Sequence, residues 1–235
     1  MSILHHQAIK HALSHFNLTY LQEHNILFGG GTRIALDLDE YRTSIDIDFL
    51  CPNKKSYRAV RTQVSSNSLG ELVASPLTFL REIRSDRDAV RTFIKSNGCN
   101  IKLEFVSFDN YNLQAEVQPK WNVPIIDVNS CFITKLLANA DRFREPVKKD
   151  IVDLIKMYEA WGEPNNLVWD EVDSHYGSAG YNSLRDALNA IANDPLCLEK
   201  TFDVCEINHS ESNNIIALAT EWNELIEGSE NFFTP

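Results

Sequence analysis

The sequence predicts an α+β chain: a mixed sheet flanked by helices over residues 1–125, then a helical part over residues 126–235. Three observations carry this. Strand-like runs crowd between Ile26 and Val117, apolar residues recur at helical spacing from about residue 128 onward, and acidity gathers late in the chain. From Glu159 onward fifteen acids face only Arg185 and Lys200, a balance of −13, whereas the preceding segment carries +2. The net charge of −11 therefore conceals a mildly basic N-terminal part, and average acidity does not exclude a nucleic-acid partner.

The 43% of hydrophobic residues in 235 suffices for one compact domain or two small ones. No apolar run is long enough to span a bilayer, and Met1–His6 lacks the basic-then-apolar build of a signal peptide. Five cysteines without a CxxC pair argue against a disulfide framework, so a reducing cytoplasm is expected.

Ile3, Ala8, Ile9, Ala12, Leu13 and Phe16 predict a covering helix over 3–16, with His5, His6, His11 and His15 on its surface. Ile26-Leu27-Phe28 reads as a short strand running into Gly29-Gly30-Gly31, after which Thr32 is placed to cap a helix over Arg33–Asp39. From Ser44 to Leu50 the pattern alternates. Ile45, Ile47 and Phe49 face one way and Ser44, Asp46 and Asp48 the other, which predicts a strand with a core face and an acidic face.

A helix over Lys54–Val64 places Lys54, Arg58 and Arg61 along one side, and Asn67–Pro76 reads as loop. Strands are expected at Leu80–Arg84, Val90–Lys95 and Asn100–Phe108, the last two joined by a Ser96-Asn97-Gly98 turn, with a short one at Leu113–Val117. Helices follow at about 128–143, at Val147–Trp161 opened by Pro146, and at Leu167–His175, Leu184–Ile191 and Asn214–Glu227, the last closed by Gly228. Cys131 is expected in the core.

Asp46 and Asp48 are the first candidates for chemistry. Carboxylates two apart on one strand face repel unless a cation compensates, and magnesium does so with a few carboxylates plus phosphate oxygens. A solvated acidic strand face accounts for a bare DxD equally well. Three glycines before a helix let backbone N–H groups approach an anion, although they also make an ordinary tight turn. No GK[ST] or GxGxxG follows, which excludes a P-loop and a dinucleotide fingerprint.

Glu104 adds a third carboxylate on the polar face of another strand, beside Lys102, and two metals bridging attacking and leaving oxygens need about three such ligands. Lys135 and Arg142, seven apart on one helix, point the same way and suit a triphosphate. Two solvated bases are the plainer alternative. Asp150 and Asp153 open the next helix, where acids also serve the helix dipole. The order of residues after the DxD fits neither a haloacid-dehalogenase phosphatase, which wants Thr or Val where Leu50 stands, nor a DxD glycosyltransferase, which has no use for the upstream glycine turn.

Taken together, Gly29-Gly30-Gly31-Thr32, Arg42-Thr43-Ser44-Ile45-Asp46-Ile47-Asp48-Phe49, Lys102-Leu103-Glu104-Phe105, Lys135-Leu136-Leu137-Ala138 with Arg142, and Lys149-Asp150-Ile151-Val152-Asp153-Leu154 resemble the AbiEii/AbiGii family. These are nucleotidyltransferase toxins of the polymerase-β-like superfamily, and the matching motifs span residues 26–157. The resemblance implies a polymerase-β-like core and transfer of an NMP from an NTP to an acceptor hydroxyl, on a tRNA 3′ end or a protein. It implies two magnesium ions at Asp46, Asp48 and Glu104, with Glu104 as third ligand or base. It further implies nucleotide and phosphate contacts at Gly29, Gly30, Gly31, Thr32, Arg42, Ser44, Lys135, Arg142, Lys149, Asp150 and Asp153, with Lys135 serving catalysis.

A toxin role with a cognate antitoxin completes what the resemblance implies, and the lack of a long apolar run predicts no membrane association. The acidic C-terminal part matches no motif; substrate selection, a docking surface for a basic antitoxin and plain solubility all fit it. Lys54, Lys55, Arg58 and Arg61 suit an RNA backbone or a solvated helix face. An antibiotic-type nucleotidyltransferase, an antitoxin-type enzyme modifying a partner protein, and a catalytically dead binding module are the alternatives.

Overall fold

The computed structural model describes residues 2–230, which divide into two units. Of the described residues, the first holds 2–40 and 44–131; the second holds 41–43 and 132–230.

The first unit is built on an eight-stranded mixed sheet. Its strands are β1 (Leu27–Gly29), β2 (Asp46–Cys51), β3 (Thr78–Phe79), β4 (Arg84–Ser85), β5 (Ala89–Ser96), β6 (Cys99–Ser107), β7 (Ala115–Glu116) and β8 (Ile125–Ile126). They lie in the order β3-β5-β6-β2-β1-β8-β7, with β4 also paired to β5. The pairs β2–β6 and β1–β8 are parallel and the rest antiparallel. Asn97 and Gly98, both at positive φ, make the two-residue turn that returns β5 into β6.

The period-2 pattern decides which face is buried. Ile47, Phe49, Ile101, Leu103, Phe105, Val90 and Ile94 turn inward against Ala8, Ile9, Ala12 and Leu13 of α1 (Ser2–Leu13). Tyr20 and Leu21 of α2 (Leu18–Glu23) and Tyr57 and Val60 of α4 (Lys54–Gln63) join them, and the Phe49 and Phe105 rings stack at 5.0 Å. The opposite face keeps Asp46, Asp48, Lys102, Glu104 and Arg91.

Several expectations change. The strand begins at Asp46, and Ile45 stays 42% exposed instead of entering the core. Helix α3 (Gly30–Asp37) starts two residues before Thr32, with Gly29 in the capping position and no side-chain cap. The reason is Gly30, whose φ of +70° turns the chain straight from β1 into the helix. His6 is buried, not superficial, and its Nδ1 meets Glu40 Oε2 at 2.8 Å. The expected strand at Leu80–Arg84 is two short pieces, β3 and β4, and the expected loop at 67–76 contains a 3₁₀ turn, Gly70–Leu72.

The second unit is helical: the later part of α5 (Val128–Arg142), α6 (Lys149–Trp161), α7 (Asn166–Tyr176), α8 (Ala179–Asn193), α9 (Glu199–Val204) and α10 (His209–Glu230). Ile155, Val172, Leu184, Leu188, Ile215 and Trp222 are buried in it, and Trp222 stacks on Tyr158 at 4.6 Å. Pro146 does not open α6, which starts three residues later at Lys149. There the Lys148 N–H, left over at the helix start, donates to the Thr201 hydroxyl at 2.8 Å. Gly228 does not close α10, which runs through it to Glu230. Among the described residues no helix is long and apolar enough to cross a membrane.

Candidate active site

Four strands place the acidic face in register. On parallel strands β2 and β6, Asp46 lies beside Lys102 and Asp48 beside Glu104; on β1, Gly29 lies beside Asp48. On β5, Arg91 lies beside Glu104. One row therefore crosses four strands as Gly29, Asp48, Glu104 and Arg91, each step about 4.8 Å. The core packing of Ile47, Phe49, Leu103 and Phe105 fixes that row, because a one-residue slip would bury the carboxylates.

Glu104 is held from two sides. Arg91 Nε donates to its Oε1 at 2.8 Å, and Lys102 Nζ donates to Oε2. Arg91 also reaches Asp86 Oδ2 at 2.7 Å. The glycine turn closes the other end of the row. A Cβ added to Gly30 would land on Asp48 Oδ2, so the helix start and the Asp48 carboxylate are in direct contact. Gly30 and Gly31 are partly exposed, whereas Thr32 is 1% exposed and spends its hydroxyl on Ser44 Oγ at 2.7 Å. That bond uses one of the two hydroxyl protons, and Ser44 is half-buried.

The remaining candidates meet in the second unit around Asp153, which is fully buried. Arg42 grips it with both arms, Nε to Oδ1 at 2.6 Å and Nη2 to Oδ2 at 3.0 Å. The Tyr41 hydroxyl donates to Oδ1. Lys135 Nζ lies 2.5 Å from Asp153 Oδ2 and 3.0 Å from Asp150 Oδ1, and Arg142 Nη2 lies 2.7 Å from Asp150 Oδ2.

Burial alone would raise the Asp153 pKa, but the Arg42 and Lys135 charges overcome it and hold the carboxyl far below its usual range. Burial would likewise lower Lys135, yet Asp153 and Asp150 keep its ammonium charged. Burial and then the Asp153 charge push the Tyr41 phenol well up. Arg42 and Lys135, 4% and 7% exposed, are therefore occupied by carboxylates, while Arg142 and Lys149 reach the surface.

The sequence reading missed Arg91 and Tyr41. Arg91 was legible in principle: counting back from the Asn97-Gly98 turn puts it opposite Glu104. Tyr41 left no signal, because its partner Asp153 is 112 positions away. Lys54, Arg58 and Arg61 line a basin of about 820 Å³ with Tyr57 and Phe108, at the end of β6.

Among the described residues no three His, Cys, Asp or Glu side chains form a ready metal cage. The donor chemistry suits magnesium all the same. Asp46 and Asp48 are two hard carboxylates on one face, and this ion commonly takes one or two carboxylates and completes its shell with phosphate and water. Glu104 fits less directly, since both its oxygens already hold cations.

No curated protein sequence matches the chain. A solved structure of a candidate nucleotidyltransferase from H. pylori shares the fold, with a TM-score of 0.56 at 14% identity over 96% of this chain and 97% of that one. The family model described as nucleotidyl transferase AbiEii toxin, type IV TA system, matches residues 11–231. With nearly its whole length accounted for by that model, the chain belongs to the AbiEii family, the nucleotidyltransferase toxins of type IV toxin–antitoxin systems.

Proposed function

We propose that the protein transfers a nucleoside monophosphate from an NTP to an acceptor hydroxyl, with Asp46 and Asp48 holding magnesium. The row of Gly29, Asp48 and Glu104 carries this reading, because it sets a glycine-lined helix start against carboxylates on one face of the sheet. When bound, magnesium supplies charge neutralisation at the phosphates and makes the acceptor hydroxyl more acidic.

The chain's own groups do the rest. Backbone N–H groups at the start of α3 face phosphate oxygens, and the helix dipole favours that charge. Glu104, beside Asp48, takes the hydroxyl proton on an oxygen that Arg91 or Lys102 gives up. The acceptor oxygen bonds the α-phosphorus, the bond from that phosphorus to the bridging oxygen breaks, and pyrophosphate leaves. Membership in a family of type IV toxin–antitoxin systems supports a cognate antitoxin as functional partner, and the acceptor in this reading is a tRNA 3′ end or a protein hydroxyl.

The test is label transfer from α-labelled NTP with magnesium and total RNA or lysate. Asp46→Ala and Asp48→Ala each abolish transfer while keeping the wild-type melting profile. Full activity in both variants sinks the mechanism.

A further inference from the structure

The end of α1 carries two histidines that the transfer chemistry leaves unused. His11 lies in the last turn of the helix, and His15 follows just past its end at Leu13. Their rings meet edge to face, with centroids 5.1 Å apart and planes at 63°. Each ring is held by a serine hydroxyl from elsewhere in the first unit. His11 Nδ1 lies 3.0 Å from Ser96 Oγ on β5, and His15 Nδ1 lies 2.8 Å from Ser75 Oγ.

The Ser96 contact fixes a tautomer. A serine hydroxyl has one proton, and Ser96 donates it to the buried Ala8 carbonyl at 2.8 Å. Toward His11 the Ser96 oxygen therefore accepts, so Nδ1 carries the ring proton and the neutral imidazole keeps its lone pair on Nε2. At His15 the backbone fastens the anchor: the Ala74 and Ser75 N–H groups donate to the His15 carbonyl at 2.8 and 3.2 Å. His11 is exposed and His15 half-buried, so solvent reaches both residues.

Histidines anchored through one ring nitrogen, with the other left as a ligand, are prepared for a transition metal, because the outer hydrogen bond sets the ring and raises its basicity. The spacing fits as well. A ligand nitrogen stands about 2.0–2.1 Å from zinc and about 1.1 Å from its own ring centre, so two imidazoles on one tetrahedral ion have centroids roughly 5 Å apart. The carbonyl end of α1 adds a field that favours a cation.

We infer that His11 and His15 together bind a transition-metal ion of the zinc class through their Nε2 atoms, with water in the remaining positions. The ion clamps the end of α1 to β5 and to the loop at Ser75. Imidazole suits zinc, nickel and copper, whereas magnesium prefers carboxylate oxygen, so this pair and the Asp46–Asp48 face select different ions. The two places lie on opposite faces of the sheet, since Ser96 shares the core face of β5 with Ile94. The inference goes beyond the nucleotidyl-transfer reading and does not depend on it.

The test uses the full chain, freed of metal by chelator and then kept in saturating magnesium so that the carboxylate face is occupied. Zinc chloride should raise the melting temperature by an amount that grows with the logarithm of its concentration. In long-range proton–nitrogen NMR spectra an equimolar amount should move the Nε2 signals of His11 and His15, while His24 and His175 keep theirs. His11→Ala and His15→Ala, each changed at a solvent-accessible position, should weaken zinc binding in calorimetry at least about tenfold and lose the thermal shift. Ser96→Ala keeps both ligands and should still weaken binding about tenfold, with the His11 spectrum no longer that of the pure Nδ1–H tautomer. Asp48→Ala, inactive in transfer, should bind zinc as the wild type does. Wild-type affinity in both histidine variants overturns the site. So does loss of zinc binding on alkylation of the partly exposed Cys99 and Cys197, or in Asp48→Ala, with the two histidine signals unmoved.

Discussion

Gly30 bears two constraints at once: a φ of +70°, which side chains adopt at a cost, and a Cα packed against the Asp48 carboxylate. Gly30→Ala should therefore move Asp48 as well as strain the turn. The expected result is a loss of transfer of about a hundredfold, from displacement of a reacting group, for a stability cost of only about 1–2 kcal/mol. Gly29→Ala makes a contrast, since its Cβ would meet Leu50 Cδ1 at 2.6 Å and act on the core. Parallel transfer and melting assays on the two variants check the distinction.

Asp153 sets the opposite kind of example, a buried charge whose partners Arg42 and Tyr41 come from 111 and 112 positions away in the sequence. Asp153→Asn leaves Arg42 with no charged partner for either arm and should destabilise the protein by about 3–5 kcal/mol, read by denaturant titration. The folded pKa of Asp153 is depressed, so the unfolded chain binds more protons as pH falls below the ordinary carboxylate range. The stabilisation is complete above about pH 4 and drains away below it as the solution approaches the folded value. In Asp153→Asn that acid-side slope should shrink, and an unchanged slope would show that Asp153 is not the group responsible.

At the scale of elements, the parts legible in the sequence were those governed by local rules. The alternation of β2, the Asn97-Gly98 turn with its two flanking strands, and α5 near 128–142 follow from period and turn chemistry. What the sequence hid was decided by distant partners. Lys135, placed by spacing on a phosphate-facing helix side, turns inward because Asp150 and Asp153 arrive on α6 to meet it. Thr32, a good cap by type, gives its hydroxyl to Ser44 because Gly30 has already started the helix. The carboxylates were readable as a pair on one strand. Their alignment with Glu104 was not, since parallel pairing of β2 with β6 has no local signature.

For the whole molecule, that same pairing has a consequence in time. The row joins residue 29 to 48, 104 and 91, and its parallel step links strands more than fifty residues apart in sequence. Such closures are slow, because chain entropy is lost before any contact repays it, whereas helices form early from neighbouring residues. On refolding from denaturant, far-ultraviolet circular dichroism should recover first and nucleotide transfer should return with the slowest phase. Simultaneous recovery of both signals would contradict this order. A chain still emerging, or one only partly folded, is then catalytically silent: the enzyme stays inert until its sheet is closed.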